Sequence, residues 1–355
     1  MSARTTVVVS PRERYSPTID SLRSLFSTVA RDVPVILVDG AFPETLRREL
    51  DDLQKTRPFH QEKREWPLIP NEARNIGLAL AQTEFVAFCD NDMQYEPGWL
   101  EALEAHADRT GVEIIAPLIC IGPPAATIIH HAGGILKLKR DKAGLHIAEA
   151  HNLMNKPMAA LDDAGLQEIT DTGEFHAIFG RTDFVRRTGP LDERLITREQ
   201  NDFALRIHHA GGRVGFERRA IVTYNAKTPL LPGDLEYHVF RWNHADAAAS
   251  LDALEQGWGF YFNRRRLLRD WIGRHRRARI AEEYSSLSRL IGPKLFALLV
   301  APFVERAIMR RANARRPQIR RKAPDIPMEE RRKVLGHFES RQTIQETSKQ
   351  RVGAR

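Results

Sequence analysis

The N-terminal third of the chain alternates short, almost wholly apolar runs with amphipathic stretches, and this alternation limits the folds open to it. Thr5–Ser10 (TTVVVS), Val33–Gly40 (VPVILVDG), Glu84–Asp92 (EFVAFCDND) and Val112–Gly122 (VEIIAPLICIG) read as buried strands, because β-branched and apolar residues dominate and Pro, Gly or Asp follows or ends each run. Between the first two, Ile19, Leu22, Leu25, Phe26 and Val29 recur at helical spacing. PETLRRELDDLQK, NEARNIGLALAQT and EPGWLEALEAHA read as further helices, the last with Pro97 near its start. Strands alternating with helices imply parallel βαβ units, hence an α/β fold with an open, mainly parallel sheet flanked by helices. Ligands of such sheets bind at the carboxyl ends of the strands. Asp39 and the triplet Asp90-Asn91-Asp92 fall at such ends.

At 355 residues and 42% hydrophobic content, the chain can bury one large core or two smaller ones. Two cysteines, Cys89 and Cys120, are too few for a disulfide framework and sit in apolar runs, so a reducing, cytoplasmic setting is expected. The three valines near the N-terminus are too short a run for a signal peptide, and no run approaches the length of a spanning helix. Charge is unevenly placed: residues 264–355 carry 25 Lys+Arg against 9 Asp+Glu, whereas residues 1–263 carry 29 against 37. An acidic globular part followed by a basic appendage points to an anionic partner for the latter.

Two carboxylates at one strand end repel each other and stay ionised most easily with a cation between them. Hard oxygen ligands at this spacing suit Mg²⁺ or Mn²⁺, which bridge phosphate oxygens. Alone, Asp-x-Asp equally suits an acidic turn in which Asp90 or Asp92 caps the next helix.

The surrounding motifs are more specific. Ala73-Arg74-Asn75-Ile76-Gly77, then Asp90-Asn91-Asp92, then Pro97-Gly98-Trp99-Leu100 resembles, in order and spacing, the nucleotide-sugar half of family-2 glycosyltransferases of the GT-A fold. The resemblance spans roughly residues 5–245. It implies that Asp39 contacts the nucleotide base, with Ser10 and Arg12 in the same pocket. Arg74 falls near the diphosphate, and Asp90 and Asn91 against the nucleotide-sugar. Asp92, with Asp90, ligates Mn²⁺ or Mg²⁺. Such an ion would stabilise the charge of a departing nucleoside diphosphate without a proton donor.

The acceptor half resembles the family in Gly189, Asp192-Glu193, Glu199-Gln200-Asn201-Asp202, Arg206 and Gly211-Gly212. One departure stands out. The family's usual general base is the Asp after the Glu, and here that position is Gln200, whose amide cannot take up a proton. Three readings stay open: Glu199, ahead of Asp202, serves as the base; the enzyme retains configuration with Gln200 only positioning groups; or transfer activity has been lost. The His that supplies a third metal ligand in many relatives is replaced by Tyr224 and Asn225, leaving His238 either as a substitute or, ahead of that, as a side chain that only packs or faces solvent. The pairs His130-His131 and His208-His209 are set aside, because neighbouring side chains point apart on strand and helix alike.

Further on, Leu267, Leu268, Trp271 and Ile272 share one helical side among arginines, and Leu290–Arg311 is strongly apolar but broken by Pro293 and Pro302. A basic amphipathic segment with Trp at its boundary suits an anionic bilayer, and equally a helical subdomain packed on the catalytic domain with its arginines in solvent. The expected organisation is a GT-A domain at 1–245, a helical, membrane-associating region at 246–316 and a basic, loosely ordered tail at 317–355. The expected activity is transfer of a sugar from a nucleotide-sugar donor to a hydroxyl of a glycan or lipid-linked saccharide, metal-assisted and inverting. The setting is cytoplasmic, peripheral on the inner face of the cell membrane through residues 264–316. The alternative is a sugar-nucleotide-binding protein of the same fold without catalysis. Nucleic acid is not an expected partner, since no reading module or interleaved exposed aromatics accompany the arginines.

Overall fold

Thr5–Ser10 (β1) is buried along its whole length, which its TTVVVS sequence demands, and it lies between two parallel neighbours, Val35–Gly40 (β2) and Phe85–Asp90 (β4). The computed structural model describes residues 3–122, 126–162, 165–225, 231, 233–316 and 320–353, with backbone alone for 275 and 341–353. His60–Arg64 (β3) closes one edge of a ten-stranded sheet. Beyond β4 follow Ala177–Arg181 (β11), Ile114–Ile121 (β6), Val214–Tyr224 (β12) and Ile169–Thr170 (β10). Met93–Tyr95 (β5) pairs with β12 and Ile129–His131 (β7) with β6. The sheet is parallel through β4-β1-β2-β3 and again between β6 and β12, with β11 antiparallel between the two blocks. A separate hairpin, Gly134–Asp141 (β8) and Gly144–His151 (β9), stands apart from the sheet.

Helices Thr18–Thr28 (α1), Glu44–Thr56 (α2), Pro70–Leu80 (α3) and Trp99–Thr110 (α4) follow the strands in the expected alternation. Pro70 opens α3, and the Glu72 carboxylate accepts from the Ile69 N–H at 2.9 Å, covering a donor the helix leaves free. Midway along α3, Gly77 lets the helix settle on β1: a Cβ there would fall 2.1 Å from Val8 Cγ1. Thr182–Arg187 (α5), Glu199–His209 (α6), Asp234–Arg241 (α7) and His244–Trp258 (α8) complete the layers around the sheet.

Two expectations change here. The boundary at 245 does not divide the core. Leu251, Leu254 and Trp258 of α8, and Leu268 and Ile272 beyond it, bury into the same cluster as Val7, Leu37 and Phe85. The tail from 320 is not loose over its described side chains. Ile326, Val334, Leu335 and Phe338 join that cluster, and Met328–Gly353 is helical. Each such side chain contributes about 1.5–3 kcal/mol by leaving water, which holds the segment down despite its charge. Arg316 ties this region back to Glu72 at 2.8 Å and Asp246 at 3.0 Å. Among the described residues no single helix is long and apolar enough to cross a membrane, although Ser285–Ile291 and Pro293–Arg315, bent by 112°, pass that test of length and composition together.

Gly77→Ala gains about 1 kcal/mol of helix propensity, but overpacking against Val8 costs about 1–3 kcal/mol. At the approach above, the steric term is expected to win and lower the urea midpoint. Gly257→Ala in α8, where a Cβ meets nothing within 4 Å, should raise it. Equal shifts in both variants would contradict this packing.

Candidate active site

The register of the central strands builds the site. Ser10 and Asp90 are paired at the ends of β1 and β4, so both strands deliver their last residues to one edge. The backbone just before β11 runs alongside, with the Asp90 N–H donating to the His176 carbonyl at 2.9 Å. Arg12, Arg74, Asp90, His176, Glu199 and Tyr224 line a cleft of about 350 Å³, which is within the range of small-molecule sites.

Asp90 is buried but well compensated. Arg74 Nη2 lies 3.1 Å from one carboxylate oxygen; Arg12 Nε at 3.4 Å and His176 Nδ1 at 3.3 Å approach the other. Burial pushes the Asp90 carboxyl up, but His176, Arg74 and Arg12 outweigh it and hold the group below its ordinary value. Asp92 has no such company. It is buried, and neither carboxylate oxygen has a hydrogen-bond partner. Burial first, then the charge of Asp90, push its pKa up to about 7. His176, driven down to about 4 by burial and by Arg12, stays a neutral imidazole.

Donor atoms of Asp90, Asp92 and His176 all lie within 4.8 Å of one another. Two carboxylates and a neutral imidazole are a fitting set for a divalent cation, and the orphaned Asp92 oxygens are what such an ion would satisfy. His176, rather than His238, thus stands beside the aspartates; His238 is buried in α7. Sequence reading passed over His176. A signal existed in Glu174-Phe175-His176, an acid and a His two residues apart just ahead of a strand. Glu174 indeed lies 3.6 Å from His176 Nε2 and 2.9 Å from His130 Nε2.

The remaining expected site residues divide. Arg12 and Arg74 reach the cleft, and Arg74 lies over the Phe175 ring at 4.1 Å. Glu199, at the start of α6, faces the cleft 3.8 Å from Arg74 and 3.5 Å from Arg241. Asp39 ends β2 as expected but does not line the cleft. Its buried carboxylate accepts from Arg47 Nε at 2.8 Å, the Phe42 N–H at 2.7 Å and Gln61 Nε2 at 3.0 Å. Asn91 is fully buried and braces the loop after β1, accepting from the Arg12 N–H and donating to the Arg14 carbonyl and Thr18 Oγ1. Ser10 is fully buried and outside the cleft lining. Asp202 is also removed from it. Arg206 Nε at 2.8 Å and Trp258 Nε1 at 2.7 Å engage both of its oxygens, and it borders a different cavity with Pro324 and Arg331. One turn of α6 separates it from Glu199, enough to hand it to α8.

An open α/β sheet whose strand tips carry paired aspartates beneath two arginines has the architecture of the GT-A fold. Residues 6–157 match the family model for glycosyl transferase family 2. The chain is 29% identical over 163 residues to the pre-mycofactocin glycosyltransferase of Mycobacterium tuberculosis, in strains CDC 1551 / Oshkosh and ATCC 25618 / H37Rv alike. That match covers 45% of this chain and 31% of the relative, so it spans about a third of the relative's length. A crystal structure of GalNAc-T7 with UDP, GalNAc and Mn²⁺ shares the fold, with a TM-score of 0.50, 16% identity, and coverage of 79% of this chain and 57% of that one. Over residues 6–157 the chain is thus similar to glycosyl transferase family 2, and its fold is of the GT-A kind.

The buried Asp92 makes a pH prediction. Unfolded, it titrates near 3.9; folded and without cations, near 7. Between these values the unfolded chain is charged while the folded chain must hold the proton, so stability falls as pH rises and the loss is complete above the folded pKa. In chelator-treated protein, Asp92→Asn should therefore melt above the parent at about pH 8 and level with it near pH 4. A constant difference at both would contradict the burial argument.

Proposed function

We propose that this chain transfers a sugar from a nucleoside-diphosphate sugar to an acceptor hydroxyl, assisted by Mn²⁺ or Mg²⁺ held by Asp90, Asp92 and His176. The observation that carries the reading is the buried, unpartnered Asp92 carboxylate beside Asp90 and His176, which themselves line a cleft with Arg12 and Arg74. When bound, the cation supplies charge neutralisation for the departing nucleoside diphosphate. Arg12 and Arg74 bring fixed positive charge to the same place, preorganised by their contacts to Asp90. Glu199 takes the proton of the attacking hydroxyl, because it faces the cleft while Asp202 is consumed by Arg206 and Trp258. A base acting on a direct displacement gives inversion. The alternative, a sugar-nucleotide-binding protein without turnover, rests on Gln200, which donates to Glu149 at 2.9 Å and offers no base.

The acceptor side favours a lipid-linked saccharide. Trp271 lines the cleft and is 52% exposed, and the adjoining helices leave Leu290 at 81%, Leu298 at 70% and Phe303 at 66% exposed. Exposed apolar side chains beside arginines suit an anionic lipid surface, which would bring a membrane-held acceptor to the cleft. This reading places the protein peripherally at the inner face of the cell membrane.

Donor hydrolysis with UDP-, GDP- and dTDP-sugars in Mn²⁺ tests the activity. Asp92→Ala is expected to lower kcat on the order of 10²–10³-fold. Glu199→Gln should lower transfer by about 10²–10⁴-fold with donor KM little changed. Full activity in Asp92→Ala, or turnover by no donor at all, would contradict the reading. Sedimentation with anionic vesicles should fall sharply for Leu298→Asp/Phe303→Asp; pelleting equal to the parent would remove the membrane from the proposal.

A further inference from the structure

Along the wall of the same cleft, which Glu149 and His151 also line, a second set of chemistry-bearing side chains remains unused by the proposed reaction. His131, at the end of β7, is fully buried, and neither of its ring nitrogens has a hydrogen-bond partner. Glu149 and His151 lie two residues apart on β9, so both side chains share one face. Their nearest approach, His151 Nε2 to Glu149 Oε1, is 3.2 Å. Two ligands on one tetrahedral zinc stand about 3.3 Å apart, given bonds of about 2.0–2.1 Å. The rings of His131 and His151 meet edge to face at 4.8 Å between centroids. Donor atoms of all three residues lie within 4.8 Å of one another.

The backbone makes room for this cluster. Gly134 is the register partner of His151 in the β8–β9 hairpin. A Cβ at Gly134 would fall 3.1 Å from His131 Nε2 and 3.5 Å from Glu149 Oε1, and 2.6 Å from Thr172 Cγ2. Any larger residue would intrude on the space into which the donors point. Buried imidazole nitrogens left without partners are costly, and a set of two imidazoles and one carboxylate is one that Zn²⁺ satisfies.

We infer that His131, Glu149 and His151 form a second metal site, for Zn²⁺, sharing no ligand with the Asp90–Asp92–His176 cluster. Glu174, whose Oε1 lies 3.5 Å from His151 Nε2, stands nearest as a further oxygen donor. The pair His130-His131 does not chelate as a pair; the strand sends His130 toward Glu174 and His131 toward this site. The site also gives Gln200 a physical reason. Glu149 turns Oε1 toward the histidines and accepts the Gln200 amide with Oε2 at 2.9 Å. A carboxylate at position 200 would set like charges against each other, whereas an amide donor orients a metal ligand from outside. The zinc would thus fasten β7 to β9 and fix the cleft wall that meets the first turn of α6.

The test uses the full-length chain carrying Asp92→Asn, which disables the other cluster. The protein is stripped with chelator, reloaded with Zn²⁺ and freed of excess metal. Elemental analysis should then find about one zinc per chain, and Co²⁺ loading should give the visible absorption of a tetrahedral N/O site. Adding His151→Asn, or separately Glu149→Gln, should weaken retention by on the order of a hundredfold, with far-UV circular dichroism checking the fold. His151 is partly exposed at a strand end, so its replacement is the gentler variant. Zinc absent from the Asp92→Asn chain, or retained undiminished in folded His151→Asn and Glu149→Gln chains, would overturn the inference. Donor turnover in Mn²⁺ is read separately, so failure here leaves the transferase reading standing, and the converse holds.

Discussion

The structure turns on the unequal treatment of two carboxylates at the tip of one buried strand. β4 is enclosed on both sides by β1 and β11, so its end cannot shift to expose Asp90 or Asp92. Asp90 is answered by Arg74, Arg12 and His176, whereas Asp92 has no hydrogen-bond partner for either oxygen. A carboxylate taken from water without a partner costs several kcal/mol or takes up a proton, and its pKa of about 7 expresses that cost. A divalent cation removes the penalty, and the same cation is what a nucleoside-diphosphate leaving group needs. The destabilised group and the chemistry proposed for it are therefore one feature.

Much of the scaffold was legible because its strands are apolar throughout. β1, β2, β4 and β6 announce themselves by composition, and α1 to α4 by spacing. β3 does not: His60–Arg64 is entirely polar, pairs only with β2, and lies at an edge where no burial writes itself into the sequence. The β8–β9 hairpin is hidden in the same way by Lys137 and Lys139 on its open face. The C-terminal helix from Met328 was obscured by charge, since only Val334, Leu335 and Phe338 face the core.

The site shows the same division between position and engagement. Asp39 occupies the strand end that its sequence suggests, yet Arg47 from the first turn of α2 and Gln61 from β3 close over it. Nothing local reports that Trp258 claims Asp202 from another helix. His176 reaches Asp90 through the antiparallel register of β11 on β4, a long-range pairing that no motif spacing carries. The basic C-terminal region is likewise only partly free for anionic partners. Arg276, Arg316 and Arg320 serve Glu305, Glu72 and Asp246 within the fold. What that region presents outward is apolar as well as basic: Leu290, Leu295, Leu298, Leu299 and Phe303 are exposed.

Asp90, Asp92 and His176 are proposed to hold a divalent cation. Crystals soaked with Mn²⁺ and a nucleoside diphosphate, measured where manganese scatters anomalously, address it most directly. An anomalous peak is expected within bonding distance of an Asp92 oxygen and a His176 nitrogen. A bound nucleotide with no peak between those residues would contradict it.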